Sequence, residues 1–123
     1  MLQYNKLYQS LKKVTAEWHA GHVEYSFYWD FMRFYDDGTV ISCNNNSNQS
    51  LNNWFYRENR DAYFNRGTFE KKNNIISLRI PVAAGVLEYE GQIQPDKLVL
   101  FVENNVTKYR SVDYFELIDL IDK

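Results

Sequence analysis

Between Val23 and Ile41 the chain runs through an alternating aromatic segment, breaks at Asp36-Asp37-Gly38 and resumes as Thr39-Val40-Ile41. Val23, Tyr25, Phe27, Trp29 and Phe31 occupy the odd positions, while Glu24, Ser26, Tyr28 and Asp30 occupy the even ones. A period of two sends successive side chains to opposite faces of a strand, one toward a core and one toward water. The alternation falters at Met32-Arg33-Phe34, which fits burial on both faces or a bulge. Asp36-Asp37-Gly38 suits a type I turn closed by a glycine bulge, since glycine takes a positive φ cheaply. Strands joined by so short a turn are antiparallel. This one segment commits the chain to an antiparallel β fold with a large aromatic core.

The rest of the chain continues in hairpins. Residues 67–71, 75–82, 86–94, 97–103 and 106–117 read as strands, separated by Lys72-Asn73-Asn74, Ala83-Ala84-Gly85, Pro95-Asp96 and Asn104-Asn105. Pro81 marks an edge, a strand end or a bulge. Consecutive hairpins make a meander, and a meander of seven to eight strands removes its edges by curling into a barrel. Before the first aromatic strand, Leu7, Leu11, Val14 and Trp18 recur at helical spacing, so residues 1–21 are expected to form an N-terminal helix ending at Ala20-Gly21. Residues 44–63 are mostly polar around Trp54-Phe55-Tyr56 and read as a long loop or lid, with a short helix from Ser50 to Tyr56 capped by Ser50. Residues 117–121 are expected to add a half turn of helix.

At 123 residues the chain is read as one domain, 1–123, large enough to bury a core. Aromatic residues make up 17% of it, and such rings bring large buried area with few torsions to freeze. A net charge of −2 with scattered basic residues argues against a nucleic-acid binder. Cys43 is the only cysteine, so an internal disulfide is excluded. No stretch is apolar and long enough for a signal peptide or a membrane span, and the expected location is cytoplasmic. The triplets starting at Asn45, Asn48 and Asn105 match the glycosylation pattern only as chance would produce it in an asparagine-rich chain.

Arg33-Phe34-Tyr35-Asp36-Asp37-Gly38-Thr39-Val40 resembles the arginine, two aromatics, Asp-Gly-Thr-Val hairpin of small lipocalin-like, calycin-type domains. Gly67-Thr68-Phe69-Glu70, Leu87-Glu88-Tyr89-Glu90-Gly91 and Asp96-Lys97-Leu98-Val99-Leu100 continue the same strand order. The similarity spans residues 23–117. Trp18, which precedes His19-Ala20-Gly21, does not form the Gly-x-Trp motif of classical lipocalins, so the resemblance is to the lipocalin-like meander barrel. It implies a barrel that binds a ligand.

Several residues are candidates for chemistry. Tyr25, Phe27, Trp29 and Phe31 are expected to line a cavity for an apolar ligand, or else to fill the core. Tyr89, Tyr109 and Ser111 are candidate hydroxyl donors to such a ligand. Arg33 sits between apolar neighbours. Inside a barrel it would need a carboxylate or an anionic ligand, and outside it would pair with Glu70 or Asp113, or stack on a ring. His19 and His22 stand at ligand spacing but lack a third partner, so no metal is expected. Glu88 with Glu90 reads as a wet strand face, and Asp36 with Asp37 as turn chemistry. Nucleophile elbows, phosphate loops and dinucleotide fingerprints are absent.

The sequence therefore leads to a non-enzymatic protein, without cofactor, that binds a small hydrophobic or amphipathic ligand inside a lipocalin-like barrel. The alternative is a protein–protein interaction module, binding a partner or a second copy through the barrel exterior or through Trp54, Phe55 and Tyr56. A third reading, an enzyme on the same barrel, requires a polar cluster with perturbed pKa values.

Overall fold

The computed structural model describes residues 2–18, 22–45, 51–60 and 63–118, with side chains described for all of these except 13–18, 22–27 and 52. Eight strands follow one another: β1 (Leu7–Trp18), β2 (His22–Phe34), β3 (Thr39–Asn45), β4 (Asn65–Lys72), β5 (Ile75–Val82), β6 (Gly85–Ile93), β7 (Lys97–Asn104) and β8 (Arg110–Ile118). Each pairs antiparallel with the next, and β8 returns to β1 to close a barrel. The antiparallel meander expected from the turn residues is present. A single short helix, α1 (Leu51–Trp54), stands between β3 and β4 among the described residues. Ser50, expected as its cap, lies outside them, as do 119–121 of the expected C-terminal half turn.

The expected N-terminal helix is corrected by β1. Leu7 and Leu11, four apart, share a face in a strand as well as in a helix, so their spacing does not separate the two. Twelve consecutive cross-strand pairs, from Leu7↔Arg33 to Trp18↔His22, decide for the strand. Leu7 is buried on one side of the wall and Tyr8 on the other. Burial on both faces at the start of β1 is what hides the period of two.

Two apolar layers flank the wall. The inner layer takes buried residues from every strand, among them Tyr8, Met32, Phe34, Val40, Phe69, Leu78, Tyr89, Leu100 and Phe115, and so lies on the barrel axis. Phe34 meets Tyr8 and Phe69 edge-on, at 5.6 and 5.1 Å between ring centroids. Leu2 joins this layer, and the Gln3 amide donates to the Tyr8 hydroxyl at 3.0 Å, so the N-terminal segment packs against one end of the core. The outer layer centres on the first three strands and what covers them: Leu7, Phe31, Tyr35, Ile41 and Cys43, under Leu51 and Phe55, with Ile118 of β8 packed against it.

Turns fix the register. Gly38 has φ 90°, with Gly38 N donating to Tyr35 O at 3.2 Å and Tyr35 N to Thr39 O at 2.9 Å. This is the Asp-Asp-Gly turn in the expected place. Asn73 adopts φ 56° in the two-residue link between Lys72 and Ile75, a conformation asparagine tolerates. Asn104 Oδ1 accepts from the Val106 and Thr107 amides at 2.8 and 3.0 Å, which closes the β7–β8 turn.

The wall is uneven in height. β2 pairs with β3 only from Trp29 to Phe34, and β1 pairs with β8 only over Leu7–Gln9. The β1–β2 hairpin thus outruns both neighbouring ladders.

Candidate functional site

The β1–β8 ladder ends at Gln9↔Glu116, although both strands continue past it. A cleft of about 400 Å³ lies there, lined by Gln9, Ser10, Leu11, Lys12, Trp29, Val112, Asp113, Tyr114 and Glu116. Alternation explains the mixture of side chains. Ser10, Lys12 and Asp113 share parity with the inner layer, whereas Gln9, Leu11, Val112, Tyr114 and Glu116 share parity with the outer wall. Where the ladder parts, both sets line one space. Leu11, Val112 and Tyr114 are exposed and Trp29 is half-buried, so the rim is apolar and aromatic.

The floor is charged. Lys12 Nζ lies 2.5 Å from Asp113 Oδ1 and 3.9 Å from Asp30 Oδ2. Ser111 Oγ donates to Asp113 Oδ1 at 2.7 Å, and the ammonium stands 5.9 Å from the Phe115 ring centre. Asp113 is buried. Burial pushes the Asp30 carboxyl up to about 6, with Asp113 adding to the rise and Lys12 opposing it. The same two carboxylates, together with burial as the larger cause, raise Tyr28 and Tyr89 above the ordinary phenol range. A low-dielectric surrounding makes each of these charges matter more than it would in water. The group can hold a polar head by hydrogen bonds and charge, and the rim can cover an apolar body.

The candidates named from sequence fall into different places. Trp29 lines the cleft. Phe31 belongs to the outer layer and is fully buried there, beneath Leu51 and Phe55. The aromatic face of β2 thus turns outward at Trp29 and Phe31, and Met32 and Phe34 supply the inner face. Tyr25 and Phe27 pair with Thr15 and Lys13, and their side chains lie outside those described. Arg33 also sits in the outer layer: Nη1 donates to the Asn5 carbonyl at 2.9 Å and to Asn5 Oδ1 at 3.2 Å, and the guanidinium lies 5.8 Å from the Phe55 ring centre. This is the outward, ring-facing arrangement among those foreseen. Tyr89 points into the barrel core, and Tyr109 is exposed in the turn before β8.

The aromatic triplet is divided. Phe55 is fully buried against Phe64 and Trp54, with centroids 5.6 and 5.8 Å away, while Trp54 is half-buried and Tyr56 exposed. The described part of the 44–63 segment is thus a strap on the outer wall over β1–β3. Arg57 fastens it: its amide donates to the Tyr35 hydroxyl at 2.9 Å, its Nη1 reaches Asp37 Oδ2 at 2.5 Å, and its guanidinium lies over the Tyr35 ring. Asp37, held below its usual range by its hydrogen bonds to Thr39, is the turn chemistry foreseen. Glu88 is exposed and bonded to Arg79 at 2.9 Å. Cys43 lies under the strap, where burial and the nearby Asp30 charge push its thiol up to about 12.

Sequence reasoning missed Lys12, Asp30 and Asp113. Lys12 lay on the polar side of the expected helix, Asp30 looked like the wet half of an alternating strand, and Asp113 was named only as a candidate partner of Arg33. Setting Lys12 in line with Asp113 needs the pairing of Leu7 with Ile118, which only the fold supplies. Among the described residues no group of three or more His, Cys, Asp or Glu is placed to hold a metal ion, and no helix is long and apolar enough to cross a membrane. His19 lies outside the described residues, and so does the side chain of His22. No family model matches the chain, and neither a curated protein nor a solved structure matches it.

Proposed function

We propose that this protein binds a small amphipathic molecule without converting it, with the ligand lodged in the cleft between β1 and β8. The observation that carries this reading is the cleft itself: an apolar rim of Leu11, Trp29, Val112 and Tyr114 above the charged floor of Lys12 and Asp113. Its size, about 400 Å³, falls in the range of small-molecule sites. Phe34, Leu98, Leu100 and Phe115, fully buried in the inner layer, favour a short ligand held at the cleft. The lipocalin-like character suggested by the sequence belongs to this reading, as does the absence of catalysis.

Trp29 makes the proposal measurable. Titrating purified protein with short-chain amphiphiles should change Trp29 emission saturably, and a Trp29→Phe variant should lose that change. A native mass spectrum that shows no adduct with any amphiphile, joined to flat fluorescence titrations, would end the proposal.

A second reading, an interaction module, is favoured by one observation on the outer wall. Phe101 and Tyr114 are 64% and 61% exposed, and Val112 pairs directly with Phe101. Such a patch suits a protein partner or a second copy of this chain. Sedimentation at rising concentration separates the two readings: self-association abolished by Phe101→Ser with Tyr114→Ser would favour the second.

A further inference from the structure

We infer that the ligand of the cleft between β1 and β8 is a short extended peptide, held as an added strand by the main chain of β8. The inference rests on the binding reading above and names the chemical class of the ligand.

Alternate residues of an antiparallel strand direct both N–H and C=O to one neighbour, and the residues between direct theirs to the other. In β8 the phase is fixed at both ends. Leu117 N donates to Asp96 O, and Tyr109 O accepts from Asn104 N, so the odd-numbered residues serve the β7 side. The even-numbered residues face β1. Ile118 meets Leu7 there and Glu116 meets Gln9, and the ladder stops. Tyr114 and Val112 point the same way past its end. In β1 the same alternation continues from Leu7 and Gln9 to Leu11, which also comes after the last pair. Outside the ladders no backbone hydrogen bond reaches Leu11, Val112 or Tyr114 among the described residues. All three line the cleft and are exposed. The unpaired main-chain groups and the cleft are therefore one place.

An unpaired strand edge is a template for another strand. Val112 and Tyr114 are neither charged nor proline, the residue types that commonly keep an edge free. They are two apart, so three residues of peptide span them. In an antiparallel strand added to β8, the first and third of these residues pair with Tyr114 and Val112, and each pair exchanges both main-chain bonds. Their side chains lie on the outer face beside Leu11, Val112 and Tyr114, which suits apolar residues. The middle residue stands opposite Asp113 and turns inward, where Ser10, Lys12 and Asp113 line the cleft, which suits a polar one. Such a peptide is amphipathic by its alternation. Main-chain bonds supply its affinity, and the alternating side chains its selectivity. A hydrocarbon chain has no donors or acceptors at that spacing and leaves the edge unpaired.

The test uses an acetylated and amidated leucine–serine–leucine peptide, the same peptide N-methylated at both leucines, and octanol. Each is titrated into the full chain and followed by Trp29 fluorescence. Methylation keeps every side chain and removes both donors to β8, so binding should weaken about tenfold or more. Amide hydrogen exchange gives the position. With the unmethylated peptide bound, exchange should slow several-fold at Val112 and Tyr114 and stay unchanged at Asp113 and Phe115, which already serve β7. Val112→Pro removes a donor on the β1 side alone, and should weaken the peptide more than Val112→Ala does. Equal affinity of the two peptides, or unaltered exchange at Val112 and Tyr114, overturns the added strand. Binding of octanol without binding of the peptide also overturns it and leaves the binding proposal standing. Saturable binding of neither overturns both.

Discussion

Lys12 and Asp113 stand opposite each other across a seam whose backbone ladder has already ended, and their side chains close the distance the main chains leave. The register continues at Nζ–Oδ1 2.5 Å after Gln9↔Glu116, the last paired residues. A side-chain bridge in place of ladder hydrogen bonds leaves room beside it, and that room is the cleft. The ion pair thus serves as both a stitch in the barrel and the floor of the candidate site.

This stitch can be measured. Lys12→Ala leaves Asp113 buried with Ser111 alone, and breaking a buried pair from one side costs about 3–5 kcal/mol. Lys12→Met with Asp113→Leu removes both charges and should recover most of that loss. Urea unfolding of the two variants and the wild type supplies the comparison. Equal destabilisation by the single and double changes would show that the pair is not a coupled unit.

Asp30 should make stability rise as pH falls through the mildly acidic range. Its folded carboxyl titrates near 6 against an ordinary 3.8, so between those values the folded chain holds a proton that the unfolded chain releases. The contribution is complete below about 4 and is lost as pH rises through about 6. Its size is on the order of 2–3 kcal/mol, from a shift of about two pKa units. Asp30→Asn should therefore be more stable than wild type at pH 7 by roughly that amount, with the advantage shrinking toward pH 4. The difference between the two urea midpoints, plotted against pH, isolates the group from the other carboxylates. A difference that stays flat with pH would contradict the assignment.

The strap offers a contrast between neighbours. Phe55 is fully buried between Arg33, Phe64 and Trp54, whereas Tyr56 beside it is exposed. Phe55→Ala should cost about 3–5 kcal/mol through lost burial and the cavity left behind. Tyr56→Ala should stay within about 0.5 kcal/mol. Thermal unfolding of the two variants beside the wild type checks both halves.

What the sequence made legible were features written in short-range chemistry. Asp36-Asp37-Gly38 named its turn, and the alternation in Ile76, Leu78 and Ile80 named an inward face. The closed meander followed from counting such hairpins. What stayed hidden depended on pairs far apart in the chain. Leu7 and Tyr8 are both buried, on opposite sides of one strand, so β1 shows no period of two. Trp29 and Phe31 are apolar because the strap covers them from outside, a fact residues 23–41 cannot carry alone. Lys12, Asp30 and Asp113 look solvated until three strands bring them together.

Gly91 gives a last and more local test of the barrel. β6 passes β7 so closely there that a Cβ on Gly91 would stand 2.8 Å from the Val99 carbonyl carbon and 2.9 Å from Leu100 Cα, with the Val99 oxygen nearer still. All three atoms are backbone, and Val99 and Leu100 are held in register by Gln92 and Gly91, so no side-chain rotation relieves the contact. The strands must part or the wall must bend, and Leu100, fully buried on the axis, moves with either. Gly91→Ala should therefore destabilise the fold by about 2–3 kcal/mol, the upper part of the usual overpacking range. Gly38→Ala meets only ordinary contact, 3.5 Å from Phe69 O, and is penalised through its φ of 90° instead. A positive φ on alanine costs roughly 1–2 kcal/mol. The two losses differ in kind, and amide hydrogen exchange tells them apart. Gly91→Ala should speed exchange along β6 and β7, and Gly38→Ala at the β2–β3 turn. Exchange that quickens evenly over the barrel in both variants would argue that neither contact is local.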